Sequence, residues 1–467
     1  MTPAPGTPWS WRLGLAVVIV ALTTVAYLGQ DVLGPRGQAT IGVVCFLSVA
    51  LACSANIRAI NRRTVLTGIA LQVFLAVMIL KVQPVRDVFE WMGAVAKQFL
   101  AFSSKGGEFV FGPLVNVPAI EKGLSLEPNK GLGVVFAFVV LPTVIFVSSF
   151  FTVLYHLGVL QLVVRGFARV MRWVMGTSGA ETLSVTANVF LGQTEAPLIV
   201  KPFIPRMTRS ELLALMIGGM AHISGGLMAV YIGMGADAVA IICTSVMAAP
   251  ASLYVGKLLV PETGIPETLG DVKPSGAKEH ANVIDAAAAG ASQGMKLAIN
   301  IAAMLIAFIA FIALANFLLG VTSDEINNRL AKMGSDQRMH RLSLEKIFSW
   351  LFSPVAVLMG CQGADAPKMG ELLGTKLVLN EFVAFSTLTS QYKPGMENGM
   401  SPHAYMLACF ALTGFANFAS IGIQLGGIGA MAPERRSDLA RLGMRALLGG
   451  FLATLINASI AGILLAV

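Results

Sequence analysis

Gly192-Gln193-Thr194-Glu195-Ala196-Pro197 lies at the centre of residues 179–203, a stretch apolar enough for a membrane but too broken to cross one. A second stretch of the same kind, residues 347–391, carries Met359-Gly360-Cys361-Gln362-Gly363-Ala364-Asp365-Ala366-Pro367 at its centre. Each reads as an apolar arm, a polar tip rich in Gly and Pro, and a second arm. Glycine lets the chain turn and proline removes a helical donor, so each tip frees backbone polar groups at membrane depth. Such groups are tolerated there only when buried in protein or lining a wet cavity. The pattern predicts two re-entrant hairpins, and a chain organised around them.

The remainder of the sequence agrees. Of the 467 residues, 55% are apolar and 12% charged, about half the charged share of an average soluble domain. That excludes a water-soluble globular protein, a disordered chain and a secreted disulfide scaffold. A helix that crosses a bilayer needs about 20 apolar residues. Charge-free stretches of roughly that length fall at residues 13–30, 38–57, 64–80, 131–155, 212–236, 238–256, 297–323, 401–433 and 446–467. The expected fold class is an all-α polytopic membrane protein with about nine transmembrane helices and two hairpins. The first stretch reads as a retained span, because only Arg12 precedes it and no small-x-small cleavage site stands before Gln30. Cys45, Cys53, Cys243, Cys361 and Cys409 show no CxxC spacing and read as small core residues.

The net charge of +8 suits cytoplasmic loops better than a nucleic-acid partner. Arg58, Arg62 and Arg63 place the loop after the second span, and with it the N-terminus, in the cytoplasm. Alternation then puts Arg165, Arg169, Arg172, Lys201, Arg206, Arg209 and the 435–445 arginines inside. Residues 324–346 fall outside despite Arg329, Lys332, Arg338, Arg341 and Lys346; Asp324, Glu325, Asp336 and Glu345 offset them. Residues 161–175 read as an interfacial helix with its arginines on one face, residues 87–126 as a segment along the interface or outside, and residues 261–293 as a polar cytoplasmic loop.

By this alternation the two hairpins enter from opposite sides. Their sequences also echo each other: Glu195-Ala196-Pro197 matches Asp365-Ala366-Pro367, and Gly219-Met220-Ala221-His222-Ile223 matches Gly414-Phe415-Ala416-Asn417-Phe418. Paired, oppositely oriented, interrupted segments are the mark of a secondary transporter whose solute sits near the midplane. Ionisable groups at that depth are costly and usually functional, which singles out Glu195 and Glu381. A buried carboxylate needs donors or a cation, and a polyhydroxylated ligand supplies donors in place of water. The plainer reading is that both acids only lock hairpin arms to neighbouring helices. Asn417 and Ser420 share a helical face, either as ligands or as part of a packing seam. A polytopic enzyme using Glu195 or Glu381 as acid or base is the competing class. Against it, the chain has no HExxH, nucleophile elbow, metal cluster or phosphate loop, and His156, His280, His340 and His403 are scattered.

Residues 192–197, Asn380-Glu381-Phe382-Val383-Ala384, and residues 414–427 followed by Ala432-Pro433-Glu434-Arg435-Arg436 resemble the concentrative nucleoside transporter family, over a region from about Ala39 to the C-terminus. The resemblance implies eight core spans, a homotrimer in the inner cell membrane, and a scaffold beside a moving transport domain of two inverted repeats. It implies ion-coupled nucleoside uptake by alternating access, a carrier for another small polar solute being the alternative. It assigns Gln193, Thr194 and Glu195 to the nucleobase, Glu381, Asn417 and Ser420 to the ribose hydroxyls, and Phe415 to packing against the nucleoside. It assigns the coupling ion to Asn188, Leu191, His222 and Ile223, with no other cofactor. An imidazole at 222, where the family has a small hydroxyl, leaves both Na+ and H+ open as that ion. Gly360-Cys361-Gln362-Gly363 replaces the family's frequent Gly-Val-Pro-Trp, which puts base preference in doubt and makes Cys361 an expected thiol reporter protected by nucleoside. The organisation implied is an extra span at 1–37, scaffold spans and interfacial helices at 38–160, a first transport repeat at 161–260, a polar loop at 261–296, a scaffold span at 297–323 and a second repeat at 324–467.

Overall fold

The computed structural model describes residues 6–115, 136–268, 280–332 and 341–465. Expected features at 116–126, 131–135, 269–279, 333–340 and 466–467 lie outside them. The described chain is helical throughout: α1 (Trp9–Leu28), α2 (Gln30–Ala52), α3 (Arg62–Lys81), α4 (Gln83–Phe111), α5 (Phe136–His156), α6 (Val159–Met175), α7 (Gly179–Ala187), α8 (Arg209–Ala221), α9 (Gly225–Met234), α10 (Ala238–Leu259), α11 (Val283–Lys332), α12 (Leu344–Leu358), α13 (Asp365–Val378), α14 (Glu381–Gln391), α15 (Pro402–Leu412), α16 (Phe418–Met431) and α17 (Arg436–Leu465).

Among the described residues seven helical segments are long and apolar enough to cross a membrane, eight if the bent pair α5 and α6 counts as one span. The remaining expected span, residues 401–433, exists as two shorter apolar helices, α15 and α16, either side of a break. Residues 212–236 are likewise broken: α8 ends at Ala221 and α9 starts at Gly225, capped by Ser224 Oγ, which accepts from the Leu227 N–H at 3.4 Å. Hydropathy alone does not register a three-residue break, because His222-Ile223-Ser224 changes the mean of the window little.

Other boundaries follow local chemistry. Gly34 takes φ +60° ahead of Pro35 and kinks α2; only glycine adopts that conformation cheaply. Asn61 caps α3 by accepting from the Arg63 and Thr64 N–H groups at 3.0 and 3.4 Å. A bend of 73° separates α5 from α6. On α6, Leu160, Val164, Ala168, Met171 and Met175 are buried, while Arg165 and Arg169 are exposed, as an interfacial helix requires. The segment expected along the interface forms α4, whose buried residues are Gly93, Ser103 and Gly107. The expected polar loop 261–293 is shorter than its composition suggests. Asn282 caps a helix through Asp285 N–H at 2.9 Å, and the alanine run 286–289, the best helix former, carries α11 into the apolar stretch. At its other end α11 continues through Lys332, where a loop was expected. Its 50 residues span about 75 Å, well beyond a bilayer core.

Helices α8–α10 and α17 form the centre: the apolar windows of Arg209–Met234, α10 and the α17 segment are each 83% buried, against 11% for α11 and 6% for α1. Without a hydrophobic force between helices in lipid, close approach rests on small residues and polar bonds. Gly449 and Gly450 of α17 face Ile217 and Met220 of α8. Gly42 and Gly462 lie against the Leu358 and Met359 carbonyls, where a Cβ would collide with backbone. A buried polar chain ties α3, α10 and α17: Tyr254 donates to Gln72 Oε1 at 2.7 Å, Gln72 to Asn457 Oδ1 at 2.5 Å, and Asn457 to Thr244 Oγ1 at 3.0 Å.

The second interrupted stretch holds two turns, not one. Residues 359–364 join α12 to α13, which pack antiparallel: Gly374 faces Phe348, and Gly370 faces Ser349 and Ser353. The polar break comes later, at Leu379-Asn380. The tip expected at 359–367 is therefore corrected to 379–380, and the match of Glu195-Ala-Pro with Asp365-Ala-Pro pairs unlike places. The match of His222 with Asn417 falls on the two helix breaks. The repeats run in parallel order: α6, α7, a polar tip, a short second arm, then broken α8/α9 and α10; and α12, α13, a polar tip, α14, then broken α15/α16 and α17.

A candidate solute and ion site

Ser178 and Glu181 form a capping box that starts α7. The helix closes with Leu191 N–H donating to Ala187 O at 2.8 Å, and Gly192–Glu195 turns. The second arm, Ala196–Arg206, is a 3₁₀ run, since Pro197, Pro202 and Pro205 lack the donors an α-helix needs. Asn380 caps α14 by accepting from Val383 N–H at 2.9 Å, and Asn417 caps α16 by accepting from Ser420 N–H at 2.9 Å. Three breaks in apolar surroundings thus converge, two of them, at Asn380 and Asn417, with a polar side chain committed to backbone.

Between them lies a cavity of about 140 Å³, lined by all seven residues singled out for solute: Gln193, Thr194, Glu195, Glu381, Phe415, Asn417 and Ser420. Leu297, Ile301 and Met304 of α11 close it on one side. Glu381, 4% exposed, accepts from Tyr231 OH at 3.0 Å on Oε1 and from Asn417 Nδ2 at 3.1 Å on Oε2. It is both anchored and cavity-lining, so its geometry is compatible with the locking reading and with the ligand reading at once. Gln193 donates to Ser420 Oγ at 3.2 Å and accepts from Gln424 Nε2 at 3.3 Å; Gln424 also donates to Met216 O at 2.9 Å. The amide is thereby oriented by the opposite repeat. Glu195 and Gly192 border a neighbouring cavity of about 130 Å³ as well, lined further by Ser148, Thr152, His280 and Gln293. Glu195 stands where the two meet.

Sequence reasoning missed Tyr231, Gln424 and Lys376. Each was visible as a polar residue in an apolar run, the signal that had singled out Glu381. Tyr231 is fully buried and stacks on Phe385 with ring centroids 4.2 Å apart. Cys361 is a correction in the other direction. It is 1% exposed and does not line the cavity; its turn packs against α2, with Gln362 donating to Gln30 O at 3.2 Å. The missing Trp in that turn therefore does not alter the cavity wall described here.

Asn188 and His222 border Gly218 together. A Cβ at 218 would lie 3.2 Å from Asn188 Nδ2, and His222 Nδ1 is 2.7 Å from Gly218 O. Both side chains are 1% exposed. Asn188 donates to Ser184 O at 3.1 Å while its Oδ1 has no donor, the condition a hard cation relieves. A carbonyl can only accept, so Nδ1 carries a proton. Nε2 makes no hydrogen bond of good geometry, with backbone of Ser245 nearby. The asparagine fits a sodium ion; the imidazole, where a small oxygen donor would suit one, fits it poorly. Hydrogen bonds from Ser245 Oγ to Val189 O at 3.2 Å and from Gly225 N–H to Phe190 O at 2.9 Å hold the tip against the break.

Two polar tips and two broken helices around a shared cavity, within a bundle of apolar helices, define a membrane carrier for a small polar solute. The model described as Na+ dependent nucleoside transporter C-terminus matches residues 240–462, the corresponding N-terminus model residues 41–114, and a model described as Gate, nucleoside recognition, residues 137–238. An uncharacterized transporter of Haemophilus influenzae is 41% identical over 426 residues, covering 91% of this chain and 96% of that protein. Sodium/nucleoside cotransporter 1 of Homo sapiens is 40% identical over 443 residues, and the match spans 63% of its length and 91% of this chain. Among solved structures, CNTnw in an inward-facing substrate-bound state superposes with a TM-score of 0.82 at 39% identity, covering 91% of this chain and 98% of that one. A doubly substituted CNTnw in an outward-facing state gives 0.83 at 39%, covering 91% and 97%. This chain belongs to the Na+ dependent nucleoside transporter family.

Proposed function

We infer that this protein takes up nucleosides by cation-coupled alternating access, releasing them chemically unchanged. The observation that carries this reading is the single cavity bounded by both hairpin tips and the α16 cap. In the proposed pose, Gln193, Thr194 and Glu195 meet the base edge, since an amide and a carboxylate offer both donor and acceptor capacity. Glu381, Asn417 and Ser420 take the ribose hydroxyls, and Phe415 covers the solute. The coupling cation sits by Asn188, Leu191, His222 and Ile223, next to the tip that presents Gln193, so its binding orders the site before solute arrives. One charge falling through about 100 mV releases about 2.3 kcal/mol, enough for roughly fifty-fold accumulation.

The ion is sodium by family membership. A proton is the second reading, favoured by His222, whose Nε2 is buried without a good partner. Residues 161–260 and 324–467 would move as the transport domain past a scaffold made from 38–160 and 297–323, with three copies in an inner membrane and the N-terminus cytoplasmic. Purified protein in liposomes, given labelled uridine or adenosine, is expected to accumulate intact nucleoside only under an inward cation gradient. Uptake indifferent to every cation gradient, or a chemically altered product, refutes the reading. Strict sodium dependence with no effect of a pH gradient removes the proton.

A further inference from the structure

The first repeat's hairpin arm ends with Leu191 N–H donating to Ala187 O at 2.8 Å; the second's ends with Leu379 N–H donating to Thr375 O at 2.9 Å. The residue that follows the accepting carbonyl is Asn188 in the first and Lys376 in the second, so the two occupy one position of the repeat. In both, an arm's last turn meets the end of the broken helix that follows. There the likeness stops. Asn188 presents an oxygen with no donor, whereas Lys376, fully buried, brings a side-chain nitrogen to the same position. Its Nζ donates to Ala411 O at 2.7 Å, on the carbonyl end of α15 just before the break, and to Thr454 Oγ1 at 3.1 Å on α17. It also lies 5.8 Å from the Phe451 ring centroid. Lys376 and Glu381 lie five residues apart, on either side of the Leu379-Asn380 break and both buried, and the acid's hydrogen-bond donors Tyr231 and Asn417 are both uncharged.

We propose that the Lys376 ammonium is a resident cation of the second repeat, standing where the first repeat leaves room for an exchangeable one, and that its charge holds Glu381 as the carboxylate that grips the solute's hydroxyls. One internal positive charge then answers one internal negative charge, and only the first repeat draws an ion from solution. Cations are favoured at helix carbonyl ends, so the same geometry supports both sites. Lys376 is a positioning residue: it acts on the solute through Glu381. The proposal rests on the transport reading for the role of Glu381, but its central test does not need nucleoside.

Wild type, Lys376→Met, Glu381→Gln and the double variant are purified in detergent and their melting midpoints compared. Met keeps the length of the side chain and removes the charge. Charge pairing predicts that Lys376→Met lowers the midpoint and that adding Glu381→Gln recovers at least half of the loss, because the amide needs no counter-charge. Losses that simply add would mean Lys376 only caps α15, and overturn the proposal. Should Lys376→Met fail to yield folded protein, the double variant is expected to yield it; absence of both overturns it equally. With uridine as probe, Lys376→Met is expected to bind at least tenfold more weakly than wild type, and unchanged affinity overturns the proposal. A wild type that binds no nucleoside would sink the transport reading while leaving the melting comparison decisive.

Discussion

Asn417 does two separable jobs, and substitutions can divide them. Its Oδ1 accepts from Ser420 N–H at 2.9 Å and starts α16; its Nδ2 donates to Glu381 at 3.1 Å. Asn417→Ser keeps a capping oxygen and loses the amide donor, so it removes one hydrogen bond that, with Glu381 held as the carboxylate as proposed, is worth about 1.5–3 kcal/mol. If that energy serves to orient Glu381 for solute, nucleoside affinity falls roughly ten- to a hundredfold. Asn417→Ala loses the cap as well, at about 1 kcal/mol, and should melt below Asn417→Ser. Affinity by isothermal titration and melting by intrinsic fluorescence, on protein in one detergent, give both quantities. Equal melting of the two variants would disprove the capping role. An Asn417→Ser protein that binds nucleoside within twofold of wild type would disprove the role through Glu381.

Three further outcomes are expected. Arg435 donates to the Ile204, Pro205 and Met207 carbonyls at 3.3, 3.0 and 2.6 Å, closing the end of the first hairpin from the second repeat; Arg435→Ala should lower the melting midpoint and slow uptake far more than the neighbouring Arg436→Ala, and equal effects would count against the clamp. Asn457→Leu should destabilise by about 1–3 kcal/mol, since Gln72 and Thr244 each lose a partner and interhelical bonds in lipid average about 0.6 kcal/mol, reaching about 1.7; pairing it with Gln72→Leu should cost less than the sum. Maleimide should modify exposed Cys53 in the native protein and spare the buried Cys45, Cys243, Cys361 and Cys409, with nucleoside making no difference at Cys361; protection there would place that turn back beside the solute.

What the chain's order of residues settles, and what it leaves open, divides along one physical line. Apolar length, the Gly and Pro interruptions and the acids at 195 and 381 are local costs in lipid. Each must be answered somewhere, so membrane helices, a first hairpin tip at 192–195 and an ionisable site were readable directly. The seven residues proposed for solute follow from motif resemblance, and all seven line one cavity because caps at Asn380 and Asn417 are also set by neighbours in sequence. Which partner answers each cost is a matter of distance between segments far apart in the chain. Residues 359–367 look like a tip because glycine and proline permit a turn anywhere, yet only packing of α12 on α13 decides that this turn lies away from the solute and that Leu379-Asn380 is the polar break. The same holds for Tyr231 reaching Glu381 across 150 residues, for Gln424 holding Gln193, and for Lys376, whose charge finds α15 and α17 only once the repeats have closed on each other.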